Sequence, residues 1–163
     1  TVEGKLTGKQ PKDQLVWPYL FDRGPNYLVQ GGLVFQELTK PYLAAFGGNE
    51  NPMANRLSYL AEHAEDKEGE TRKKIVFLSA VLPTPAAQGY DRLSGIIIQK
   101  INGKPILQLA DAAEAFKTPK DGIHVVELND FPKVLHLDAA QVEKDNAALM
   151  SGDFRLGALS RIE

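Results

Sequence analysis

Apolar, aromatic and β-branched residues crowd positions 27–38, and only Gly31-Gly32 interrupts them. This predicts a strand in which the glycines mark a bulge or a place where another backbone comes close. Residues 40–46 read as a short helix stopped by Gly47-Gly48. Asn51-Pro52 then supplies an N-cap and a first-turn proline. Behind it Met53, Leu57, Leu60, Ala61 and Ala64 recur at helical spacing and draw one apolar stripe. Alternating charges over 65–74 predict a solvated loop. Residues 75–82 form a buried-looking strand ended by Pro83-Thr84-Pro85, and 86–90 a single helical turn. Residues 96–101 are the next strand, closed by Asn102-Gly103, a two-residue hairpin signal. Over 107–116 the period is again helical, with Leu109, Ala112, Ala113 and Phe116 on one side. Residues 123–128 and 134–137 pair through a turn at Asn129-Asp130. Asp138 caps a last helix to about residue 150, stopped by Ser151-Gly152-Asp153.

Short, mostly antiparallel strands with a few helices make the class α+β. Ahead of them, residues 1–21 read as an extended, linker-like lead-in whose apolar knot at 15–21 docks through its aromatics, followed by a turn at Asp22-Arg23-Gly24-Pro25. The expected division is a lead-in at 1–21, a domain at 22–150 and a tail at 151–163. A chain of 163 residues with 43% hydrophobic content can bury one core. Its first residue is Thr, which reads as a fragment of a longer protein. A net charge of -2 gives no sequence-wide attraction for nucleic acid. No apolar run approaches the roughly 20 residues of a membrane helix. The absence of cysteine excludes disulfides, thiolate metal sites and cysteine nucleophiles.

Catalytic chemistry finds little support. His63 sits on the charged side of a helix; His124 and His136 lie in opposed strands, where they would face each other as two ligands at best. Ser58 falls within a helix, Ser79 within a strand, and Ser94-Gly95 lacks a nucleophile elbow. Gly31-Gly32 lacks the third glycine and following helix of a nucleotide fingerprint. The chain is therefore read as carrying no metal, no cofactor and no enzyme activity of its own.

Two signals occur together. One is Tyr27-Leu28-Val29-Gln30-Gly31-Gly32-Leu33-Val34-Phe35. The other runs Val81-Leu82-Pro83-Thr84-Pro85-Ala86-Ala87-Gln88-Gly89-Tyr90, then Ile96-Ile97-Ile98-Gln99-Lys100-Ile101-Asn102-Gly103-Lys104-Pro105-Ile106, then a short helix. Together they resemble a PDZ domain. Asp22-Arg23-Gly24-Pro25, with Leu38-Thr39-Lys40-Pro41-Tyr42-Leu43, is similar to the last PDZ domain of plant-type Deg proteases and their bacterial HtrA-like relatives, over about residues 16–150. Ser94-Gly95 departs from the family's usual Gly-Asp, and the protease triad has no counterpart here.

The resemblance implies a partly open antiparallel barrel or sandwich with a short groove helix, an inserted helical segment at about 39–70 and a C-terminal helix. It also implies a groove for an added strand. Gln30, Gly31, Gly32 and Leu33 would form the carboxylate-receiving loop, Leu33, Val34 and Phe35 would begin the receiving strand, and Leu109, Ala112, Ala113 and Phe116 would be the opposing wall. The helix carrying Met53, Leu57 and Leu60 must bury its stripe somewhere. It is read as a gate over the groove or as a subunit contact. The implied partners are peptides, protein C-termini or β-strands, a protease domain of the same polypeptide and further copies of the chain, with no nucleic acid and no membrane insertion. A stand-alone PDZ adaptor without a protease is the alternative. The compartment stays open, with a lean to an extracytoplasmic one.

Overall fold

In the computed structural model, which describes residues 13–19, 23–46, 52–67, 72–152 and 154–163, the stretch read as one strand across 27–38 is two. Strands β1 (Tyr27–Gln30) and β2 (Leu33–Glu37) fold back on each other, with Gln30 opposite Leu33. Gly31 has φ of 56° and Gly32 of 90°. Positive φ at both central residues is what a tight hairpin turn of matching twist requires, so the glycine pair reverses the chain rather than bulging it.

Helices α1 (Lys40–Phe46) and α2 (Pro52–Lys67) follow, then β3 (Val76–Val81) and a 3-10 turn at Pro85–Ala87. Next come β4 (Ile96–Ile101), β5 (Lys104–Pro105), α3 (Leu109–Ala115), β6 (Ile123–Leu128) and β7 (Val134–Asp138). Helix α4 (Ala139–Ser151) and β8 (Ser160–Arg161) complete the order. The strands form one open antiparallel sheet, β7-β6-β4-β3-β2-β1-β8, with β5 paired to β4 off this path. Asn102 and Gly103, at φ 51° and 79°, make the predicted turn into β5. The Asp138 side chain accepts from the Gln141 N–H at 2.7 Å and starts α4 where the sequence places it.

Alternation along β3 and β4 assigns the two faces of the sheet. Val76, Leu78, Ile96 and Ile98 face the core shared with α3 and α4, whereas Phe77 and Ile97 face a second cluster with Leu15, Leu38, Leu57 and Ile75. The inserted helix therefore buries Leu57 on the face opposite α3. Register corrects the histidine pairing as well. His124 lies opposite Leu137 and His136 opposite Val125; His124 is buried and His136 exposed, so a one-residue offset puts them on different faces.

Candidate functional site

The elements predicted to flank a groove do meet. Leu109, Ala112 and Phe116 of the α3 region are buried with Leu33 and Phe35 of β2, and Ala113 packs at the margin. The rings of Phe35 and Phe116 lie 5.5 Å apart. Each end of α3 is anchored by a side chain. Glu37 Oε1 accepts from the Leu109 N–H at 3.0 Å, and Asn102 Nδ2 donates to the Ala115 carbonyl at 2.8 Å.

The edge expected to receive a ligand is already taken. β2 pairs with β1 on one side and with β3 on the other. Leu28 of β1 enters the core beside Phe35, and α3 contacts β1 as well as β2. Strand addition needs unpaired main-chain groups, and Gln30, Leu33, Val34 and Phe35 all lie within the β1–β2 ladder. Val34 points to the opposite face, where it lines a cleft of about 640 Å³ with Pro18, Arg23, Tyr42 and Phe46.

The glycine turn is likewise closed by its own chain. The Gly31 N–H donates to Asn146 Oδ1 at 2.8 Å, and Asn146 Nδ2 donates to Gln30 Oε1 at 2.9 Å. The Thr84 hydroxyl donates to the Gly31 carbonyl at 2.7 Å, and the Leu82 N–H to that of Gly32 at 2.8 Å. A Cβ on Gly31 would stand 2.7 Å from Val142 Cγ2, and one on Gly32 2.8 Å from the Leu82 carbonyl oxygen. The glycines thus admit α4 and the 82–84 segment to close approach. Asp145 fixes α4 here, accepting from the Ala86 N–H at 2.7 Å and from Gln141 Nε2 at 2.8 Å. Sequence reasoning missed Asp145 and Asn146. The available signal was Asp145 falling on the Val142/Leu149 stripe of an otherwise amphipathic helix, where a buried carboxylate needs donors.

A second polar node joins the leading segment to the start of α3. The buried Glu37 carboxylate accepts from Trp17 Nε1 at 2.7 Å and Asn26 Nδ2 at 3.1 Å through Oε2, besides Leu109 through Oε1. Lys74 Nζ sits 3.9 Å from the centre of the Trp17 ring, and the Arg23 guanidinium lies 4.7 Å from it. Burial pushes the Lys74 ammonium below its ordinary pKa, with the Glu37 and Asp13 carboxylates opposing that shift and Arg23 adding to it. At the far end of α3, Asn102 and His124 Nδ1 are 3.1 Å apart, and burial lowers the His124 pKa.

The outer edge of β1 carries β8. Tyr27 lies opposite Arg161 and Leu28 opposite Ser160, and the Val29 N–H donates to the Leu159 carbonyl at 2.7 Å. Nothing in the hydrophobic pattern of the tail signals this strand. The inserted helix buries Leu57 on the face opposite α3, and the side chains of Met53 and Leu60 lie outside those described. No helix among the described residues is long and apolar enough to cross a membrane.

A family profile described as PDZ domain matches residues 16–153. Over 134 residues the chain is 31% identical to "Protease Do-like 2, chloroplastic" of Arabidopsis thaliana. That match covers 80% of this chain and 21% of the relative, so the chain spans about a fifth of that protein's length.

Proposed function

This chain belongs to the PDZ domain family, and from that premise we propose that it is a non-catalytic module that takes up extended segments of other proteins by strand addition. In this reading it serves a serine protease of the Deg/HtrA kind as a regulatory or subunit-holding part. The observation that carries the binding role is the match of residues 16–153 to the PDZ domain family, whose members seat an added strand beside a helix, as α3 here packs on the β1–β2 hairpin with Phe35 and Phe116 in contact. That arrangement holds a strand against a helix, and main-chain pairing supplies affinity while side-chain seats supply selectivity. The likeness to Protease Do-like 2 supports the link to a protease.

A fluorescence-anisotropy screen of the 163-residue chain against peptides with free and amidated C-termini tests the binding role. Saturable binding of a sequence-related subset supports it, and a flat response across the library removes it. Sedimentation equilibrium of the same sample, with and without the parent protein's upstream part, tests the subunit-holding role: a mass that never exceeds the monomer removes that part of the proposal.

A further inference from the structure

The segment 158–163 lies along β1 in the manner of a bound peptide. Beyond the ladder at Tyr27 and Leu28, its side chains occupy defined seats. The Arg161 guanidinium lies 5.5 Å from the centre of the Tyr27 ring, and it packs so closely on Gly24 that a Cβ there would run into it. Two residues on, Glu163 Oε2 accepts from Arg23 Nη1 at 3.1 Å, and the Glu163 carbonyl accepts from Asn26 Nδ2 at 3.4 Å. Tyr27 Oη donates to the Ala158 carbonyl at 3.1 Å. All six residues except Leu159 are exposed, and that one is half-buried. The segment is held by main-chain pairing and rim contacts rather than by a core, so little buried apolar area resists its release.

We propose that the outer edge of β1 is the module's peptide-accepting edge. Residues 158–163 are its tethered stand-in, and the partner is an extended segment of another protein with a basic residue followed two positions later by an acidic one. The basic side chain takes the seat formed by Tyr27 and the bare Cα of Gly24; the acidic one pairs with Arg23. Asn26 joins this edge to the interior, because its Nδ2 reaches both the Glu163 carbonyl and buried Glu37. This inference rests on the strand-addition reading and moves it from β2, whose edges are filled, to the edge that only a short, exposed strand covers. The tether competes by its high local concentration, so opening it strengthens binding from outside.

The test uses the full chain and a labelled peptide, Ala-Leu-Ser-Arg-Ile-Glu. Ser160→Pro/Arg161→Pro removes the Arg161 ladder donor and restricts the tail backbone without touching the core. The opened chain is expected to bind the peptide at least about tenfold more tightly than wild type. Adding Gly24→Ala should cut that gain several-fold for the Arg peptide and leave an Arg-to-Ala peptide unaffected. If the double proline variant folds poorly, Arg161→Ala, which alters one exposed side chain, replaces it. Equal affinity of opened and wild-type chains overturns the proposal, as does equal binding of a peptide with the two charges exchanged. A doubled mass with the tail of one copy on the next also overturns it, in favour of exchange between copies. Library peptides that bind both forms alike leave strand addition standing and remove the β1 edge from it, whereas a chain that binds no peptide fails the earlier reading first.

Discussion

Gly31 and Asn146, separated by 115 positions in sequence, are joined by a 2.8 Å hydrogen bond from the Gly31 N–H to the Asn146 side-chain oxygen. The donor that a peptide terminus would need is thereby satisfied from α4. Asn146→Ala leaves that N–H and the Gln30 side chain without their partner. The expected loss is about 1–2 kcal/mol, seen as a lower urea midpoint at unchanged m-value.

Gly31→Ala and Gly32→Ala each force a Cβ onto a positive-φ position and should cost about 1–3 kcal/mol. They differ in what yields. Gly31 meets the Val142 side chain, which can be trimmed, while Gly32 meets the Thr84 hydroxyl and also the Leu82 carbonyl, and the carbonyl cannot be trimmed. Val142→Ala should therefore recover part of the Gly31→Ala loss in a double-mutant cycle and none of the Gly32→Ala loss.

Glu37→Ala strands three donors at once, those of Trp17, Asn26 and Leu109. Hydrogen bonds to a charged group contribute about 1.5–3 kcal/mol each, and partial rewetting should keep the total near 3 kcal/mol or somewhat above. Trp17 is the single tryptophan of the chain, so its emission should shift to the red as the leading segment leaves Glu37. Unchanged emission would show that the segment is held by packing alone.

His124 is held below its ordinary pKa of 6.5 by burial, with Glu143 pulling modestly the other way. The folded state favours the neutral ring, whose Nδ1 accepts from Asn102. Below about pH 6.5 the unfolded chain takes up a proton that the folded chain resists, so stability falls as pH drops through that range until the folded group titrates too. Thermal melts between neutral and mildly acid pH should show this slope. His124→Gln, which keeps an acceptor and cannot titrate, should flatten it.

Leu57 is fully buried on the face away from α3. Leu57→Ala should cost about 2–5 kcal/mol in a chemical melt. Peptide affinity measured well below the unfolding transition should stay as in wild type; a rise would mark the insertion as a gate.

Local chemistry made much of the fold legible. Asn102-Gly103, the Asp138 cap and the period-2 and helical stripes need only near neighbours to act, and each sits where the pattern placed it. The glycine pair was recognised as a bulge or a place of close backbone approach; the close approach is there, but the chain reversal was not foreseen, because a hairpin turn and a strand bulge share the same residues. Strand β8 and the Asn146 bond left no local trace. A two-residue exposed strand has no periodicity, and a single asparagine on a helix looks like any surface residue.

By itself, then, the sequence determined the α+β class, the helix and turn positions, and which side of α3 faces the core, since propensity and alternation act over a few residues. Only the tertiary structure decided that β1, not a ligand, lies against β2, that α2 covers the opposite face, and which edge a short tail strand protects. Those outcomes depend on competition between distant segments for the same main-chain donors and the same apolar surface, and no local pattern records who wins it.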